Sequence, residues 1–172
     1  MAQISESAYR KARRAFIAAC EAAHVDAVAR LHPARDKDGN PLFMDAAALG
    51  PRRAARAVLV VGRGARGSAV VTQLLCDGLR PADGTRVVLV HALDPAIFAG
   101  VKADANWPAA MLGAVATEDL SRVHELGVLP LEDGADLMPA LSASLPNAAI
   151  TLLARTGSSA AAKAAIEAFL AK

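Results

Sequence analysis

Aromatic residues are scarce in this chain, only 3% of 172 residues, so its core cannot be built on stacked rings. Cysteine is equally scarce. Cys20 and Cys76 are the only two, and each falls on an apolar helical position, which predicts buried thiols rather than a disulfide framework. Charge of one sign is also missing. A formal net charge of +2 is too small to mark a nucleic-acid binder. No apolar run reaches the length of a membrane span, and Met1 to Arg14 contain no apolar leader, so the expectation is a cytoplasmic protein with no membrane partner.

Apolar residues make up 54% of the chain and alanine alone roughly a quarter. That composition predicts a globular core of Val, Leu and Ala with closely packed helices. The length fits one domain, read as 1–172, large enough to bury a core without metal or disulfide staples.

Ser5 or Ser7 is positioned to cap a first helix running to about Ala23. Tyr9, Ala12, Phe16, Ala19, Cys20 and Ala23 form its apolar stripe. Arg10, Lys11, Arg13 and Arg14 lie mostly off the stripe, a solvated face or a contact for an acidic partner. Asp26 to His32 and Leu42 to Ala48 alternate, and the Asp38-Gly39 step between them is a hairpin signal. Ala57 to Val61 and Arg86 to His91 are continuous apolar runs suited to strands buried on both faces. A helix from Ser68 to Leu79 between them makes a βαβ unit. Pro108 to Val115 and Glu118 to Leu126 read as two helices, with Thr117 capping the second and Gly127 ending it. Val128 to Leu131 reads as a short strand and Asp136 to Leu145 as a helix interrupted near its start by Pro139. Ala149 to Ala154 reads as a strand beside the two central ones, and Ser158 or Ser159 caps the last helix.

Gly62, Gly64 and Gly67 fit the G-x-G-x-x-G spacing between a strand and a helix, where backbone N–H groups can cradle a phosphate. A dinucleotide site needs an acidic residue closing the second strand. That strand ends in His91, and Asp94 lies too far along. Gly62, Arg63, Gly64, Arg66, Gly67 and Ser68, with His91 and Asp94, are therefore the candidate ligand site, for an anion or nucleotide. The residues favour a plain strand-to-helix turn over either ligand. Gly-x-Ser-x-Gly is absent, so Ser68 is not an esterase elbow.

An ordered series over roughly residues 5–100 carries a more specific likeness. It comprises Ser7-Ala8-Tyr9-Arg10-Lys11-Ala12-Arg13, Leu31-His32-Pro33, Asp38-Gly39-Asn40-Pro41-Leu42 and Ala48-Leu49-Gly50-Pro51. Ala57-Val58-Leu59-Val60-Val61 and Val88-Leu89-Val90-His91-Ala92-Leu93-Asp94-Pro95 complete it. Together these segments resemble a bacterial family of zinc carboxypeptidase-like proteins, a domain of unknown function (number 2817). The resemblance implies a phosphorylase/carboxypeptidase-like α/β fold, here truncated, with a mixed, largely parallel sheet and helices on both faces.

The family's chemistry does not carry over residue by residue. Its Gly-Thr-His-Gly-Val-Glu-Gly loop supplies two zinc ligands, and the His position here is Arg66, which cannot ligate zinc. The Val-Glu-Gly part has no counterpart. An Asn- and Arg-rich substrate segment is replaced by Val101 to Pro108, which has no Arg, and Leu153 stands where the family has its general-base Glu. His24, His32, His91 and His124 do not rebuild a site of three ligands with a base nearby. The expectation is a pseudoenzyme with no catalytic residues, metal or cofactor, whose partner is another protein or a second copy of itself. Phe98, Val101, Trp107 and Met111 are the candidate interface left open by the shortened fold. Trp107 has a competing reading as a plug in the shortened core.

Overall fold

The computed structural model describes residues 6–102, 104–134 and 136–172; Ser5 and Ala103 lie outside these. Helix α1 (Ala8–Ala22) starts at Ser7, whose hydroxyl accepts from the Arg10 N–H. It leads into the hairpin β1 (Ala27–Arg35) and β2 (Pro41–Leu49). The βαβ unit is β3 (Arg56–Val61), α2 (Ala65–Cys76) and β4 (Thr85–Val90). A short α3 (Pro95–Phe98) and a longer α4 (Trp107–Asp119) follow. The chain closes with β5 (Glu125–Pro130), α5 (Leu137–Ser144), β6 (Ala149–Leu152) and α6 (Ser159–Leu170).

The six strands form one sheet in the order β1-β2-β4-β3-β5-β6. β1 with β2 and β2 with β4 run antiparallel; every later neighbour is parallel. This is the mixed, largely parallel sheet that the family resemblance implies. Its central strands are buried on both faces because alternate residues enter two cores. Val58, Val60, Val87 and Leu89 pack under α1, α2 and α6, with Phe16, Leu74 and Ile166. Leu59, Val61, Val88 and Val90 pack on the opposite side under α4 and α5, with Leu112, Val115 and Leu141.

Three readings are corrected. β6 does not neighbour β3: β5 lies between them, and β6 is an exposed edge strand of four residues. The region read as two helices is one, α4. Thr117 caps nothing, because its hydroxyl donates back to the Gly113 carbonyl one turn earlier. Leu126 and Gly127 accordingly lie inside β5, where alternate-face packing outweighs local helix propensity. Cys76 is exposed at the last turn of α2, one step past the buried pair Leu74 and Leu75; Cys20 is buried as expected.

Tyr9 joins α1 to the hairpin. Its hydroxyl accepts from the Phe43 N–H at 2.8 Å and donates to the Phe43 carbonyl at 2.6 Å. Burial pushes its pKa up to about 12, so it stays neutral throughout the working range of a protein. Removing this hydroxyl strands two backbone groups at once. Tyr9→Phe is expected to lower unfolding free energy by about 2 kcal/mol in urea titrations, with no change in the far-ultraviolet spectrum.

Candidate functional site

Parallel α/β sheets bind ligands beyond the carboxyl ends of their strands, so the ends of β3, β4 and β5 are the place to look. The glycine loop leaves β3 there. Gly62 donates to the Val90 carbonyl and accepts from the Leu93 N–H, locking the loop to the segment after β4. A Cβ at Gly62 would sit 2.8 Å from the His91 carbonyl and 2.9 Å from the Gly67 carbonyl carbon, so only glycine fits.

The backbone N–H groups of this loop form a cradle, and a side chain of the same protein fills it. Glu132, just beyond β5, accepts from the N–H groups of Arg63 at 3.1 Å, Gly64 at 2.9 Å and Gly67 at 2.9 Å. These donors open α2, so the carboxylate also meets the positive end of the helix dipole. The fit is tight: a Cβ at Gly67 would lie 2.0 Å from Glu132 Oε1. Arg63 turns its guanidinium to Asp136, reaching both carboxylate oxygens at 2.7 and 2.8 Å. Arg66 projects from the first turn of α2 and is exposed. Nothing local to the glycine spacing identified Glu132, some 65 residues away along the chain.

Ser68, His91 and Asp94 are all buried. Ser68 Oγ hydrogen-bonds His91 Nε2, and the His91 ring stacks on Phe16 with centroids 4.8 Å apart. His91 Nδ1 lies toward the Ala12 backbone without reaching hydrogen-bonding geometry. Desolvation pulls the His91 pKa down to about 4, so the imidazole is neutral near pH 7. Asp94 caps α3, accepting from the Ala96 N–H at 3.1 Å and the Ile97 N–H at 3.4 Å. Its nearest imidazole, His32, is 4.0 Å away, too far for a hydrogen bond. Sequence reasoning also missed Asp45. Fully buried on β2, it holds Arg13 through two hydrogen bonds of 2.7 and 3.0 Å.

The residues after β4 pack inward. Trp107 is only 7% exposed, and its indole N–H donates to the Leu93 carbonyl at 2.9 Å. Phe98, Val101 and Met111 are half-buried against the core. This placement corresponds to the core-plug reading of Trp107, since a buried indole N–H needs a partner and here has one. Among the described residues the largest apolar exposures are at Leu31 (62%) and Ile97 (61%). Among the described residues no group of three or more His, Cys, Asp or Glu is placed to hold a metal. No helix among the described residues is long and apolar enough to cross a membrane.

Two outcomes follow from this geometry. Glu132→Ala leaves three N–H donors without their acceptor and should lower stability by about 2 kcal/mol, with Glu132→Gln intermediate, in urea titrations. For His91, the native state binds fewer protons than the unfolded chain between the folded value of about 4 and the ordinary 6.5. Its contribution is therefore complete above about pH 6.5 and is lost as pH falls through that window, on the order of 3 kcal/mol in all. His91→Gln should flatten this part of the stability–pH curve, and an unchanged slope would assign it to other groups.

Comparison with solved structures gives distant likenesses. Glutaminyl cyclase from Macrostomum lignano is 13% identical with a TM-score of 0.46, covering 87% of this chain and 64% of that one. Glutaminyl cyclase from Porphyromonas gingivalis is 14% identical with a TM-score of 0.40, covering 72% and 59%. A Bacteroides vulgatus protein proposed as a Zn-dependent exopeptidase is 16% identical with a TM-score of 0.43, covering 74% and 52%. The chain thus spans under two thirds of the length of each, and at these scores none bears on what it does. No curated protein matches it. Residues 6–102, more than half of the chain, match the family model described as protein of unknown function (DUF2817), and the chain belongs to that family.

Proposed function

We propose that this chain is a non-catalytic member of its family, a pseudoenzyme that works as a protein-binding, assembly or regulatory subunit. The observation that carries this reading is the Glu132 carboxylate in the amide cradle of the β3–α2 loop. A carboxylate held by three N–H groups at a helix N-terminus occupies the position where an anionic substrate or ligand would sit. The other polar residues at this end of the sheet are similarly committed to internal bonds. Arg63 pairs with Asp136, Asp94 caps α3, and Ser68 bonds a neutral His91 sealed beneath Phe16. Arg66 stands where the resembled loop has a zinc-ligating His, and a guanidinium supplies no lone pair. A phosphate or nucleotide at Gly62 to Ser68 would first have to displace Glu132, which disfavours the ligand-binding alternative.

The assembly role draws on the free edge of β1, where Val28 and Leu31 are exposed beside unpaired backbone groups. Exposed edges of this kind take another strand. After dialysis the purified protein is expected to retain no stoichiometric zinc and to show no carboxypeptidase or amide-hydrolase turnover with zinc added. About one zinc per chain, with turnover lost on chelation, overturns the non-catalytic reading. Sedimentation tests the assembly role separately: Leu31→Glu should shift self-associated protein toward monomer, and a wild type monomeric at all concentrations argues against the second-copy form.

A further inference from the structure

The opposite end of the sheet carries a different chemistry. A cleft of about 580 Å³ opens at the amino ends of β3 and β4, where α1 passes into β1. Three arginines line it: Arg52 from the β2–β3 connection, Arg80 from the α2–β4 connection, and Arg86 from β4. Arg86 is buried. It donates from Nη1 to the Gly50 carbonyl at 2.5 Å and from Nη2 to Asp119 at 3.3 Å, while its Nε has no partner among the described residues. Arg86 and Asp119 offset each other's charge. Arg52 and Arg80 are exposed and form no ion pair among the described residues, and Asp26, on the same wall, forms none either.

His24 supplies a second, independent observation. It follows the C-cap of α1, where the chain reverses through bonds from the His24 N–H to the Glu21 carbonyl and the Val25 N–H to the Cys20 carbonyl. That position takes the left-handed conformation glycine adopts freely. His24 has a φ of +57° and is the only non-glycine residue with positive φ among the described residues. A side chain kept at such a position, facing a cleft, points to a use for the side chain.

We propose that this cleft binds a phosphorylated, hydroxyl-bearing small molecule. Arg52 and Arg80 receive the phosphate oxygens, and the buried Arg86, neutralised by Asp119, lines the same cleft with its Nε unpartnered among the described residues. His24 donates a hydrogen bond to the phosphate, and Asp26 accepts from a hydroxyl of the organic part. Val25, Val28, Ala46 and Ala48 give that part an apolar surface. Arginine suits the role because its planar fork matches phosphate oxygens, and it keeps its charge at every physiological pH. This site is independent of the Glu132-filled loop and of the non-catalytic reading.

Calorimetric titration of the full chain with ribose 5-phosphate and inorganic phosphate, at low ionic strength, tests it. Ribose 5-phosphate should bind one-to-one and about tenfold more tightly than inorganic phosphate, the difference one added hydrogen-bonded contact to a charged group provides. Arg80→Ala and His24→Gly should each weaken it by about tenfold, while Arg53→Ala, in a separate depression with Arg122 and His124, should leave it unchanged. His24→Gly should at the same time raise the melting temperature, because glycine relieves the left-handed backbone; lost binding in a more stable protein cannot be unfolding. Absence of saturable binding overturns the proposal. So does equal weakening by Arg53→Ala, the mark of an adventitious ion only, or full affinity retained in His24→Gly.

Discussion

Three backbone N–H groups at the start of α2 have to find acceptors, and the protein answers this with Glu132. The β3–α2 turn brings the N–H groups of Arg63, Gly64 and Gly67 to one point, at the positive end of a twelve-residue helix. Left alone they would call in water or an anion. A carboxylate from the loop after β5 satisfies them, so the turn is tied to the next strand along as well as to the one it leaves. Gly62 is bonded at the same time to Val90 and Leu93. The carboxyl ends of β3, β4 and β5 are therefore held together by polar bonds as well as by apolar packing.

Two aspects of composition become intelligible from there. With few aromatic rings, the sheet is covered largely by small and branched side chains. Each of the six aromatic residues then has a specific task. Tyr9 pins α1 to β2, Phe16 covers His91, Phe43 lies under the Arg13 guanidinium, and Trp107 closes the core over Leu93. Phe98 meets Tyr9 edge-on, and Phe169 carries Arg56 over its ring. Polar residues in the interior follow the same economy. Asp45 is paired with Arg13, Ser68 with His91, and Asp94 with the first turn of α3.

The two ends of the sheet differ in what they leave available. At the carboxyl end most polar groups are committed internally. At the amino end, Arg52 and Arg80 face solvent with no acidic partner among the described residues, and His24 holds a left-handed backbone conformation. Ligand sites in parallel sheets ordinarily belong to the first end, because strand termini and helix N-termini converge there.

The sequence alone determined the elements whose signal is local. Ser7 and Ser158 cap their helices, the Asp38-Gly39 step turns the hairpin, and the runs Ala57 to Val61 and Arg86 to His91 are parallel neighbours. Gly62, Gly64 and Gly67 likewise marked a strand-to-helix turn whose amides could form a cradle, because tight turns demand glycine wherever they occur. Only the tertiary structure decided what enters that cradle, since Glu132 is remote in sequence and an isolated glutamate carries no pattern. The interleaving of β5 between β3 and β6 was equally invisible. A short buried strand and a helix segment share one apolar periodicity, and only packing against Leu59 and Val60 separates them. The burial of Trp107 and the exposure of Cys76 belong to the same class. Both depend on where a helix face points, which is settled by the layers around it and not by the residues within it.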